Sequence, residues 1–175
     1  MSALQRITTE YCEVEDRIRL IGEDENGDAL TLLLTQRLLI RLLVHLLEAV
    51  ATQSTENARN PSQDEEATNL LQGFAQQAAA DNLSPQTPVV ADSTLNSWLV
   101  KEVDIGNAAD ASISLVFKSA SGDRAVLHME NQHLRQWLAI VHSLWLVTEW
   151  PAAIWPKWIE ESEADDSTES AQAFH

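Results

Sequence analysis

The spacing of hydrophobic residues along this chain switches between a period of two and a helical period, and the switch occurs twice. Val14, Ile18 and Leu20 share one face of an extended segment, with Glu15, Arg17 and Arg19 on the other. That alternation predicts a half-buried strand. Asn26-Gly27 supplies the positive φ values of a tight hairpin turn, so the chain reverses there. The returning strand runs from Ala29 to Leu34 and places Leu30, Leu32 and Leu34 on one face. Thr35 then caps a helix predicted from Gln36 to about Ala51. On that helix Arg37, Arg41, His45 and Glu48 make one narrow polar stripe, and nearly everything else from Leu38 through Val50 is apolar. An ordinary surface helix has a polar half. A helix wetted along one strip is expected between the sheet and a second layer: another helix, a partner subunit, or both.

The same order of signals returns later. Structure resumes over 98–105, Ile113, Leu115 and Phe117 alternate, and Ser121-Gly122-Asp123 marks a second hairpin. The segment 124–129 returns, and Asn131 caps a helix running to about Trp150, where Trp150-Pro151 ends or bends it. Leu134, Trp137, Leu138, Val141 and Trp145 form its apolar stripe. Laid over the first half, Ile113 meets Ile18, Leu115 meets Leu20, Gly122-Asp123 meets Gly27-Asp28, and Leu127 meets Leu32. One inserted residue later, Asn131-Gln132-His133-Leu134 meets Thr35-Gln36-Arg37-Leu38. The expected fold is therefore α+β: two related hairpin-plus-helix (ββα) modules forming one pseudo-symmetric antiparallel sheet, with helices packed on one face.

Between the modules the composition changes. The chain divides into a first module at 1–51, a mostly flexible linker at 52–96, a second module with a Trp/Pro-rich extension at 97–159, and an acidic, disordered tail at 160–175. The linker is rich in Gln, Ala, Asn, Ser and Thr and carries Pro61, Pro85 and Pro88. One island interrupts it. Leu70, Leu71, Phe74 and Ala78 have helical spacing, which predicts a short helix near 66–80. Such a helix either caps the core with that stripe or offers the stripe to a partner from a tether.

Charge narrows the function classes. The 175 residues are 45% hydrophobic, normal for a folded domain, but carry a formal net charge of -16. That charge repels nucleic-acid phosphates and anionic membrane surfaces, so direct nucleic-acid binding is not expected. Cys12 is the single cysteine, which precludes an internal disulfide and a cysteine-rich zinc site. The opening residues Met1 to Arg6 lack an apolar signal core, and no apolar run is long enough to span a bilayer. A cytoplasmic protein without membrane insertion is expected.

Candidate chemistry is sparse. Glu130 and His133 have the Glu-x-x-His spacing of di-iron carboxylate sites, but the first helix supplies no second copy, and His133 is better read as a first-turn surface residue. Asp24 to Asp28 resembles a calcium loop but has Ala29 and Thr35 where glycine and a carboxylate are required. Arg135, His142 and Glu149 lie seven residues apart along one helix stripe, read as a solvated or polar seam in preference to a proton-transfer pair. Cys12 has no activating neighbour in sequence. No metal and no cofactor are expected.

Features that suit a partner are more numerous. Trp150, Trp155 and Trp158 fall outside the helical stripe and are broken up by Pro151 and Pro156. They close the core like a lid or anchor an interface. With Leu42 and Leu46 of the first helix and Leu70 and Phe74 of the island, they are the candidate partner-binding residues. The reading that accounts for them is a non-catalytic protein–protein interaction protein: an adaptor, assembly factor or chaperone-like subunit of a larger bacterial complex, with homodimerisation through the first helix as one form. The alternatives are an acidic inhibitor mimicking nucleic-acid charge against a basic nucleic-acid-binding protein, and an enzyme with a site around His142.

Overall fold

In the computed structural model, the described residues are 2–57, 65–84, 86–90, 96–107 and 112–160. The tail at 161–175, and the linker residues 58–64, 85 and 91–95, lie outside them. The chain forms two compact units, one from residues 1–44 and 85–134, the other from 45–84 and 135–175. Among the described residues, no helix is long and apolar enough to cross a membrane.

The first unit holds a seven-stranded sheet. Its strands are β1 (Ser2–Cys12), β2 (Arg17–Asp24), β3 (Ala29–Thr35), β4 (Ser97–Leu99), β5 (Glu102–Asn107), β6 (Ile113–Lys118) and β7 (Arg124–Met129), in the order β4-β3-β2-β1-β7-β6-β5. The class is α+β, with helices α1 (Gln36–Asn57), α2 (Glu65–Asp81) and α3 (Asn131–Trp145) and a fourth helical stretch at 157–160.

The expected hairpins are where the alternation put them. Ile18 faces Leu34 and Leu20 faces Leu32 across β2 and β3. Ile113 faces Met129, Leu115 faces Leu127 and Phe117 faces Ala125 across β6 and β7. All ten side chains are buried. Such facing apolar pairs are the stabilising unit of an antiparallel sheet. Gly27 and Gly122 sit at the two tips with φ of 84° and 99°, a region that a side chain disfavours. At the second tip, hydrogen bonds from the Ser121 and Ser119 hydroxyls hold the Asp123 carboxyl below the usual carboxylate range.

Three expectations require correction. The sheet is mixed: β1 runs parallel to β7 and β3 parallel to β4, whereas the remaining pairs are antiparallel. Second, Val14 is 97% exposed despite its spacing with Ile18 and Leu20. It lies in a 3-10 turn (Glu13–Glu15) that reverses the chain between β1 and β2, closed by Asp16 at φ 49°. Third, 98–105 is not one strand. Val100 donates its N–H to the Leu33 carbonyl on β3, and Lys101 donates to the Lys118 carbonyl on β6, at 3.0 and 2.9 Å. These consecutive residues therefore connect β4 and β5, the two edge strands. Consecutive Cα atoms are only about 3.8 Å apart, so the sheet curls into a half-barrel that brings its edges together there. The outer edge is charged, with Lys118 Nζ at 2.6 Å from Asp104 and 3.4 Å from Glu102.

α1 starts where Thr35 was expected to cap it, with the Leu38 N–H donating to Thr35 Oγ1 at 3.3 Å. Replacing Thr35 with alanine should cost about 1 kcal/mol. The check is a urea midpoint that falls with no change in slope. The expected polar strip is exposed at Arg37, Arg41, His45 and Glu48, while Leu39, Leu42, Leu43, Leu46, Leu47 and Val50 are buried. α3 differs at both ends. Asn131 is its first residue, and its Oδ1 makes no hydrogen bond among the described residues, so the Glu130 carbonyl, accepting from Leu134 N–H at 2.9 Å, opens the helix. The helix stops at Trp145, five residues before Trp150.

Candidate functional site

The second unit is where the candidate residues gather. Its strongest feature is the orientation of α2. Leu70, Leu71 and Phe74 are 60%, 57% and 64% exposed, whereas Gln72 and Gln76 are 2% and 1% exposed. The helix thus turns its apolar stripe outward and its glutamines inward, the reverse of the core-capping arrangement. Among small neighbours, Ala79 is also buried.

The inward face is bound by specific hydrogen bonds. Arg135 Nη2 donates to Gln72 Oε1 at 2.7 Å, and Gln72 Nε2 donates to the Ala51 carbonyl of α1 at 3.3 Å. Gln76 Nε2 donates to the Arg135 carbonyl at 2.9 Å. Gln136 Nε2 donates to the Ala79 carbonyl at 3.0 Å. The Arg135 guanidinium carbon lies 5.7 Å from the ring centre of Trp158, within range of a cation–π contact. A Cβ placed at Gly73 would lie 3.9 Å from the Trp158 carbonyl oxygen, an ordinary contact distance, so α2 passes beside the 157–160 stretch there. Arg135 is buried, and burial pulls its guanidinium down to about 10. Gln76 Oε1 makes no hydrogen bond among the described residues, but each further buried polar group left unmatched costs roughly 1–3 kcal/mol, so the bonds that are made hold α2 in one rotation about its axis.

The tryptophan segment turns inward. Trp150, Trp155 and Trp158 are all buried. Trp145 stands edge-to-face with Trp150 at 4.8 Å and with Trp155 at 5.7 Å between ring centres, and donates its indole N–H to the Pro151 carbonyl at 3.1 Å. His142 is buried with its ring 4.8 Å from Trp155. The stripe of Arg135, His142 and Glu149 is therefore not a solvated one. Its first two members are interior, and Glu149 is exposed beyond the end of α3.

Of the remaining candidates, Leu42 and Leu46 are buried within the chain, and Leu70 and Phe74 are exposed. Glu130, His128 and His133 are exposed. Among the described residues no group of three or more His, Cys, Asp or Glu could hold a metal ion. In the first unit a polar cavity of about 310 Å³ is lined by Ser2, Leu30, Asn96, Trp98, Gly122, Asp123 and Arg124. Asp123 is engaged by Ser119 and Ser121, and Asn96 donates to the Ala29 carbonyl, so two of its polar groups already serve the fold.

The buried members of the polar layer were not anticipated. The signal was present: Gln72 and Gln76 are one helical turn apart on the side of α2 opposite Leu70 and Phe74. Comparison with protein-family models, with curated proteins and with solved structures finds no match.

Proposed function

We propose that this chain is a non-catalytic protein–protein interaction protein, an adaptor, assembly factor or chaperone-like subunit, and that the outward face of α2 is where it takes its partner. The carrying observation is that Leu70, Leu71 and Phe74 are exposed while the opposite, glutamine face is buried and hydrogen-bonded. Burying one such apolar side chain is worth about 1.5–3 kcal/mol. A helix that forgoes this for three neighbours, in one patch, presents the kind of surface that partners cover. The inward-facing tryptophans and buried Leu42 and Leu46 leave α2 as the more accessible of the candidate surfaces.

The reading also assigns the two halves different tasks. The facing pairs Leu20–Leu32 and Leu115–Leu127, and the glycine tips, support descent of β2-β3-α1 and β6-β7-α3 from one duplicated hairpin-plus-helix unit. In this reading the first helix supplies a buried apolar stripe, and the second supplies Arg135 and Gln136, which bind α2.

The test is affinity capture from the source cell with the intact chain and with a Leu70→Ser/Phe74→Ser variant. The expected outcome is one stoichiometric protein with the wild-type chain and a loss of at least about tenfold in recovery with the variant, equivalent to about 1.4 kcal/mol. Both substitutions are on the surface, so the urea midpoint should stay within the small range usual for surface changes. Equal recovery by both chains, or recovery of general chaperones alone, sinks the reading.

A further inference from the structure

The outward face of α2 has a chemical setting that selects among partners, and this deduction rests on the interaction reading above. Along α2 the chain has no Lys or Arg but has Glu65, Glu66 and Asp81. Two of these carboxylates, Glu66 and Asp81, are exposed near opposite ends of α2. The last turn of α2 has no basic residue to complement the negative end of its helix dipole, and Asp81 adds to that negative end. The apolar positions Leu70, Leu71 and Phe74, continued by exposed Ala78, run over nine residues, about 12 Å of helix from first to last Cα. A strip of that length with helical spacing suits a helix lying along it.

We propose that this face seats a cationic amphipathic helix of a partner protein. Its apolar stripe would cover Leu70, Leu71 and Phe74, and its Lys or Arg residues would lie over the acidic margins and the carbonyl end of α2. A second copy of the chain fits worse. Whether two α2 helices pair parallel or antiparallel, both ends bring carboxylate against carboxylate, which is destabilising. The net charge of -16 opposes self-association further.

The experiment uses the full chain and a fluorescently labelled synthetic helix of about 18 residues, five turns, with Leu at helical spacing on one face and Lys on the other. A counterpart carries Glu in place of every Lys. Anisotropy titrations should show binding of the Lys helix that weakens as salt is raised. Binding should fall by about tenfold or more in the Leu70→Ser/Phe74→Ser variant and for the Glu helix. Equal affinity for the two helices, or a Lys-helix affinity that the serine variant leaves unchanged, overturns the proposal. So does a dimer in sedimentation velocity that the serine variant abolishes, because the occupant is then a second copy. The cellular capture separates this failure from that of the broader reading. A partner that depends on α2 but contacts it without a basic helix refutes only the cationic-helix proposal, whereas no α2-dependent partner refutes both.

Discussion

Truncation of Trp145 to alanine is expected to lower the stability of the folded chain by about 4 kcal/mol, in the range of other large aromatic deletions from packed cores. The side chain is 1% exposed and stands at the centre of an aromatic group. It meets Trp150 and Trp155 edge-on, and its N–H is the hydrogen bond that ties the chain at Pro151 back to α3. Removing it leaves a cavity, strands the Pro151 carbonyl and frees the segment that carries Trp155 and Trp158. Against a total stability of about 5–15 kcal/mol, that is a large fraction. The measurement is the urea midpoint together with near-ultraviolet circular dichroism, whose tryptophan signal should collapse. Hydrogen exchange in α2 should rise with it, since α2 passes beside the 157–160 stretch. Trp145→Phe retains most of the packing and loses the indole hydrogen bond, so it should cost substantially less. Equal, small losses from both substitutions would show that the aromatic group is peripheral to stability.

Arg135 is the second site where a large effect is expected, and here the size depends on the replacement. Arg135→Ala removes a buried guanidinium, exposes a void beneath Trp158 and leaves Gln72 Oε1 without its 2.7 Å donor. A loss of about 3 kcal/mol is expected. Arg135→Met fills much of the space without the desolvated charge, and should recover a large part of that loss. Adding Gln72→Leu to Arg135→Met removes the stranded acceptor too, so the double variant should be more stable than the sum of the two single changes predicts. The pH dependence has a defined direction. The guanidinium is depressed to about 10 in the folded chain, so the folded state releases its proton more readily than the unfolded one. The desolvation penalty is therefore present in full below about pH 10 and eases as pH rises from there toward the ordinary arginine value. Between about pH 6 and pH 9 the gap between wild type and Arg135→Met should be constant. A gap that changes across that window would mean that another titrating group acts through Arg135.

The hairpins were legible because each carries two independent signals, a glycine tip and facing apolar residues such as Leu20 and Leu32. β1 was not legible. Its residues alternate poorly, and Leu4 is its only buried side chain among those described. It is held by backbone pairing with β2 on one side and β7 on the other, which no local pattern encodes. Val14 misled for a related reason: period two was satisfied across a point where Asp16 reverses the chain. The tryptophans beyond α3 could be identified as aromatic anchors, but whether they turned inward depended on Pro151 meeting the Trp145 indole. In α2 the helix was readable from Leu70, Leu71, Phe74 and Ala78, and its facing was not. Hydrophobicity alone puts that stripe inside. The rotation is set by amides that match a guanidinium and carbonyls from residues 51, 79 and 135, a correspondence that exists only in three dimensions.

The parallel pairing of β1 with β7 sets a timetable for the chain's birth. Ser2 pairs with Ala125, a residue made much later than it. Contacts between residues so far apart in sequence form slowly, because a long loop must close before they contribute. During synthesis β2 and β3 can assemble on β1 early, but the β7 side of β1 stays open until β7 itself has been translated. Over that interval a row of backbone donors and acceptors along β1 is unsatisfied and able to recruit a foreign strand. A nascent chain stalled before residue 124 should consequently be more prone to aggregate than one extended past β7, and β1 should be a principal point of holdase engagement.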